Sequence, residues 1–170
     1  MNTTEENDEI LIGRYARGDA AAFDQLYRRH ELRVWRYLER NVGDQDTSDD
    51  LLQDVWLALA RNAVSLESVT RFRTRLFTLA HDRMVQTRRD RASKGIPAPS
   101  RPTKSDESSN TLSRALGQLG GDERDAYLLH IEGQLSIGEI AEITESPIDT
   151  VENRLWVARA KLHELLGEKS

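Results

Sequence analysis

Apolar residues recur along this chain at intervals of three and four almost from end to end, the spacing of one face of an α-helix. The stripe Phe23, Leu26, Tyr27, His30, Val34 and Leu38 predicts a long helix, with Asp19 as its N-cap and Gly43-Asp44 as its end. Leu51, Leu52, Val55, Trp56 and Leu59 mark a second helix, capped by Thr47 or Ser48. A third starts at Thr70 and turns Phe72, Leu76, Leu79, Ala80 and Met84 inward, leaving its arginines mostly on other faces. A shorter helix over 9–17, carrying Ile10, Leu11 and Tyr15, precedes them. No stretch alternates apolar and polar residues with period two, so no strand is expected.

Between Ser93 and Asn110 the pattern stops. Pro97, Pro99, Pro102 and six serines or threonines surround Ile96, the one large aliphatic side chain there. Such a segment cannot bury enough apolar surface to offset its ordering entropy, and it reads as a flexible linker. Helical spacing resumes at Thr111 with Leu112, Leu116 and Leu119, then breaks at Gly120-Gly121. Asp122 can cap a further helix bearing Ala126 and Leu129, which Gly133 closes. The expected fold class is therefore all-α: two small helical domains, over 8–92 and 111–170, joined by a flexible linker over 93–110.

The most specific local signal runs from Ser136 to Leu155. Ser136 and Glu139 form a capping-box pair ahead of Ile140, Ala141 and Ile143. The small Ala141 lets a second helix cross closely. Ser146-Pro147 restarts the chain with proline at the first helical position, where its missing N–H costs nothing. Val151 and Leu155 then pack back on the first helix. This is a helix-turn-helix pattern, whose second helix would present Asp149, Thr150, Asn153 and Arg154 to a DNA major groove, with Arg159 beside them. A helical hairpin with no nucleic-acid role fits the apolar spacing too. Asp149 and Glu152 favour that alternative, because phosphates repel carboxylates, although a carboxylate can accept from a cytosine amino group.

Charge sharpens the picture. The net charge of −5 argues at first against nucleic acid, but it conceals segregation. Arg71 to Lys94 holds eight basic residues against two acids, whereas Asp44 to Asp54 holds five acids and no base. With 170 residues, 38% hydrophobic and 31% charged, the chain suits two thin-cored modules. Cysteine is absent, which excludes disulfides and thiolate metal sites. His30, His81, His130 and His163 are scattered outside any metal-ligand spacing and read as surface or half-buried imidazoles. No metal or cofactor is expected. No apolar run approaches the ~20 residues that span a bilayer, and the polar, acidic start lacks a signal-peptide layout. A cytoplasmic protein is expected. Adjacent carboxylates such as Asp49 and Asp50 diverge on a helix, and no nucleophile–base pair or phosphate-cradling loop is visible, so an enzyme is not expected.

Taken together, the blocks resemble the extracytoplasmic-function (ECF) type of bacterial RNA polymerase sigma factor. Gly18 to His30, Ser48 to Trp56 and Phe72 to Ala80 are similar to sigma domain 2. Ala115 to Leu119, Gly133 to Ala141, Thr150 to Leu155 and Ala158 to Leu162 are similar to sigma domain 4. Any one block is weak; their joint order around a polar linker is strong. The resemblance implies core RNA polymerase and promoter DNA as partners, and allows an anti-sigma factor. It implies polymerase docking by Asp50, Leu51, Gln53 and Asp54. It implies −10 element recognition and melting by the basic helix, with Arg75, Arg83, Gln86, Arg88 and Arg89 at the DNA. Residues 61–69 would hold a flipped base, Phe72 and Phe77 are the nearby aromatics (Phe72 assigned to the core), and the helix-turn-helix would read the −35 element. Arg75, Asp82, Gln86 and Glu145 depart from the family pattern, Asp82 by placing negative charge toward DNA. These departures keep two alternatives open: a sigma-like decoy that sequesters an anti-sigma factor, and a stand-alone helix-turn-helix regulator.

Overall fold

The computed structural model describes residues 7–62, 71–96 and 107–167. Among the described residues there are eight α-helices and no strand. The first four are α1 (Asp8–Ala16), α2 (Ala20–Val42), α3 (Gln45–Arg61) and α4 (Phe72–Ser93). The second four are α5 (Glu107–Gly117), α6 (Gly121–Ile131), α7 (Ile137–Thr144) and α8 (Ile148–Gly167).

Local chemistry sets the N-terminal joints. Asn7 accepts the Ile10 N–H at 2.8 Å and opens α1. Asp19 accepts the Ala21 N–H at 3.1 Å and opens α2, as the sequence predicts, while Arg14 clamps the same carboxylate at 2.5 Å. Gly43 ends α2 with φ 80°, a left-handed conformation that costs an L side chain about 1 kcal/mol. Directly after it Asp44, not Thr47 or Ser48, stands at the N-cap of α3. Both hydroxyls serve that joint from inside the helix: Thr47 donates to the Asp44 carboxylate, and Ser48 Oγ donates to the Asp44 carbonyl at 2.7 Å. Thr70 lies outside the described residues, and α4 begins at Phe72.

Three boundaries in the C-terminal half also move. Helix α5 starts at Glu107, ahead of the first apolar repeat, because a polar opening turn leaves no periodic signal. Helix α6 starts at Gly121, with the Glu123 carboxylate accepting the Gly120 N–H at 3.2 Å, which puts Asp122 inside the first turn. Helix α8 starts at Ile148, and the Pro147 carbonyl accepts the Val151 N–H at 3.1 Å, so the proline sits just before the helix. The capping box of α7 forms as expected, with Ser136 Oγ accepting the Glu139 N–H at 3.2 Å.

Each half closes on apolar side chains. Leu26, Val34, Tyr37, Leu38, Val55, Leu59, Phe72, Leu76, Phe77 and Met84 are fully buried in the first. Leu116, Ala126, Leu129, Ile140, Val151 and Ala158 are fully buried in the second. Each large apolar side chain removed from water contributes about 1.5–3 kcal/mol. Gly133 is dictated by space, because a Cβ there would lie 2.5 Å from the Leu129 carbonyl oxygen. The halves touch: α7 packs on α4, and α6 packs on α2.

Candidate nucleic-acid interface

Helix α4 carries all five of the expected −10 residues, and its pitch sorts them onto two sides. Arg75, Asp82, Gln86 and Arg89 follow one another at spacings of seven, four and three and are exposed. Arg75 and Arg89 make no ion pair with a described residue, so their charge is available to a partner. Arg83 is half-buried at the margin of this face. Arg88 points the other way: its guanidinium donates to the Asn41 carbonyl at 3.2 Å and to Asn41 Oδ1 at 2.9 Å. That cation ties α4 to α2 and is already occupied. Phe77 is fully buried, edge-on to Tyr37 with ring centroids 5.6 Å apart, so it is a core residue and no base can stack on it. Phe72 is buried as expected. Residues 63–69 of the base-holding loop lie outside the described residues.

In the helix-turn-helix, α7 leads through a left-handed Glu145 (φ 51°) and Ser146 into α8. Ile148, Asp149, Glu152, Asn153, Trp156 and Arg159 form its exposed face. Thr150 is half-buried. Arg154 does not project as the sequence predicts. It folds back, donating to Ser146 Oγ at 2.9 Å and lying 3.6 Å from the Asp122 carboxylate. Trp156, which sequence reasoning missed, is 69% exposed on the same face as Asn153. The available signal was its position three residues past Asn153, outside the Val151–Leu155–Ala158 stripe.

On α3, Asp50, Gln53 and Asp54 are exposed at spacings of three and one, and form an acidic strip. Leu51 is only 7% exposed, so it supports the strip from the core and does not belong to its surface. Asp49 is engaged by the Trp35 indole N–H at 2.8 Å. Alongside lies a cleft of about 420 Å³ with Phe23, Tyr27, Leu52, Trp56 and Leu57 in its walls, an apolar feature the sequence reading did not assemble.

The comparisons with known proteins decide the family. The sigma-70 region 2 model matches residues 26–94, and the sigma-70 region 4 model matches residues 109–162. The RNA polymerase sigma factor CarQ of Myxococcus xanthus is 33% identical over 165 residues, covering 91% of this chain and 95% of that protein. The ECF RNA polymerase sigma factor SigM of Mycobacterium tuberculosis is 30% identical over 173 residues, covering 96% of this chain and 86% of that protein. This chain belongs to the ECF RNA polymerase sigma factors. Among solved structures, CnrH in complex with the cytosolic domain of CnrY superimposes with a TM-score of 0.74 at 26% identity, over 96% of this chain and 99% of that one.

Sigma factors are initiation factors without a catalytic centre, and they give a polymerase its promoter specificity. In this sigma factor the region 2 match covers most of α2 together with α3 and α4, and the region 4 match covers most of α5 and α8 together with α6 and α7. No helix among the described residues is long and apolar enough to cross a membrane.

Proposed function

We propose that this sigma factor docks on core polymerase through the Asp50–Gln53–Asp54 strip and the apolar cleft beside it. An amphipathic, basic helix of the polymerase suits that combination, because carboxylates meet its cations while the cleft takes its apolar side. The exposed α4 face, Arg75, Gln86 and Arg89 with Arg83 at its margin, meets the −10 element. The exposed α8 face, Asp149, Asn153 and Arg159 with Trp156, meets the −35 element. Arg88, Arg154 and Leu51 hold these faces in shape. The units that go with these roles run over 8–93 and 107–167, with the thirteen residues 94–106 as the tether between them. Polymerase and chromosome put its work in the cytoplasm, and an anti-sigma factor is a natural further partner for such a surface.

The observation that carries this proposal is the presence, on one chain, of the exposed arginines Arg75 and Arg89 on α4, an exposed face on the second helix of a helix-turn-helix, and an acidic strip on α3 beside an apolar cleft. Initiation by reconstituted holoenzyme, with start sites mapped across the source genome, is the test. Promoter-specific transcripts are expected from the wild type, and D50K/D54K should bind core polymerase at least tenfold more weakly while keeping its helical circular-dichroism spectrum. Unchanged affinity of the double variant would remove the docking face.

The exposed Asp82 in the middle of the α4 face favours the decoy alternative, since it repels phosphate. A decoy would bind an anti-sigma factor and give no promoter-specific transcript in the same assay. Asp82→Asn should raise promoter-specific transcription if the chain initiates, and leave it at zero if it is a decoy.

A further inference from the structure

The seam between the region 2 and region 4 units is built on a buried polar cluster. Tyr37 on α2 is fully buried, and its hydroxyl donates to Asp125 Oδ1 on α6 at 2.5 Å. The other oxygen of Asp125 lies 2.9 Å from His81 Nδ1 on α4, and that nitrogen is 3.3 Å from the Tyr37 hydroxyl. Asp125 is itself only 5% exposed, although it sits on the apolar side of α6 next to Ala126. Around this cluster Arg40 pairs with Glu132 at 2.8 Å, and Arg73 donates to Gln134 at 2.9 Å. Thr74 donates to Glu139, and Arg71 pairs with Glu142 at 3.1 Å. The last two links run from the first turn of the −10 helix and from Arg71 at its N-cap directly onto α7, the first helix of the helix-turn-helix.

That contact conflicts with the task. Elements centred at −10 and −35 are about 25 base pairs apart, roughly 85 Å along B-form DNA at ~3.4 Å per pair. Helices in direct contact cannot sit on both at once. The seam's chemistry also suits separation. Water replaces the lost partners when a polar contact opens, so its net worth is modest, unlike that of an apolar core.

We propose that Tyr37, His81 and Asp125 form a latch that closes region 4 over region 2 in the free chain, and that the latch must release before both promoter elements are engaged. The consequence for promoters rests on the DNA-reading roles proposed above. The latch itself is measurable without polymerase or DNA.

The latch is sensitive to protons. His81 is faced by Tyr37 from α2, by Asp125 from α6, and by Asp82 and Arg88 of its own helix. Burial disfavours the imidazolium and Arg88 opposes it. The hydrogen bond and charge of Asp125, aided by Asp82, outweigh both and hold His81 above its ordinary value of 6.5. An opened chain returns His81 toward that ordinary value, so the closed state binds the extra proton. Its contribution to closure is complete below 6.5 and is lost as pH rises through the raised closed-state value.

The chain has no cysteine, so Gln45→Cys and His163→Cys, both exposed and outside the seam, would carry a fluorescent donor and acceptor on the full-length protein. At about pH 6 the otherwise wild-type chain should show one short inter-domain distance. Tyr37→Phe keeps the ring against Phe77 and removes only the hydroxyl; Asp125→Asn removes the charge. Each should lower the closed-to-open ratio roughly 10–100-fold, the loss of one buried hydrogen bond to a charged group. Raising the pH should lengthen the wild-type distance, and Asp125→Asn should flatten that response. If Asp125→Asn fails to fold, Tyr37→Phe and the wild-type pH series still decide the matter. Distances in Tyr37→Phe identical to wild type at every pH, or a wild-type distance that is long and insensitive to pH, would overturn the latch. Failure of the promoter-reading roles would appear in the transcription assay and leave these distances unchanged.

Discussion

Phe77 shows what a single position conceals in a sequence. Aromatics on a basic helix suggest base stacking, and only the packing partner, Tyr37 on a helix some forty residues earlier, reveals a core residue. Phe77→Ala should therefore lower stability by about 3–5 kcal/mol in denaturant unfolding. A variant of wild-type stability with a promoter-opening defect would return Phe77 to the DNA. His30 was legible as part of the α2 stripe, but its partner was not, because Asp8 lies twenty-two residues away on α1. His30 Nε2 sits 2.9 Å from Asp8, and Arg29 pairs with the same carboxylate at 2.8 Å. Burial pushes the Asp8 carboxyl up, but the hydrogen bonds and charges of His30 and Arg29 outweigh it and hold it below its ordinary 3.8. A depressed carboxyl stabilises the fold above its unfolded value and ceases to do so as pH falls through the folded one. Acid unfolding should therefore begin at higher pH in a variant that already lacks this contribution. Asp8→Asn should show a smaller stability difference between neutral pH and pH ~3 than the wild type in thermal melts; an unchanged difference would show that the cluster does not act.

At the scale of the element, periodicity located the eight helices found among the described residues but not which cations on them are free. Arg154 and Asn153 are neighbours in sequence, yet α8 turns Arg154 onto Ser146 and leaves Asn153 in solvent. The turn between α7 and α8 explains the difference. Glu145 adopts φ 51° and ψ 46°, which brings Ser146 back under the first turn of α8, within reach of Arg154. The sequence flagged this position as a departure from the family pattern. Replacing Glu145 with Gly should relieve about 1 kcal/mol of left-handed strain and recover somewhat less, because glycine also loosens the unfolded chain. A rise of a few degrees in melting temperature is expected, and a fall would show that Glu145 contributes something the strain does not outweigh. The α8 face itself gives a sharper contrast. Trp156→Ala should weaken binding of a −35 duplex about tenfold, through lost apolar contact, at unchanged helicity. Arg154→Ala should lower stability by roughly 1 kcal/mol through its lost hydrogen bond. Equal effects of the two substitutions on DNA affinity at equal stability would mean that α8 is rotated relative to the groove from the face described here.

At the scale of the molecule, the joint between the two units was visible as a change of composition, but its length was not. The sequence pattern assigns eighteen residues to it, and the helices take back both ends, with α4 running to Ser93 and α5 beginning at Glu107. Thirteen residues remain between them, which extend at most about 43–47 Å at ~3.3–3.6 Å each. Elements roughly 85 Å apart along the duplex must therefore be bridged by the tether together with the bodies of the two units. Little slack is left, so the length of this segment should matter for initiation and not for folding. Deleting Ser100 to Lys104 shortens the maximum span by roughly 17 Å. The deletion should leave core-polymerase binding and thermal stability as they are, because the docking strip proposed on α3 and both cores lie elsewhere. It should sharply reduce transcripts from promoters of natural spacing, and a Gly-Ser insert of equal length at the same place should restore them. Full activity in the deleted chain would mean that the duplex bends, or that the two helical faces approach it by a shorter path than the extended tether requires.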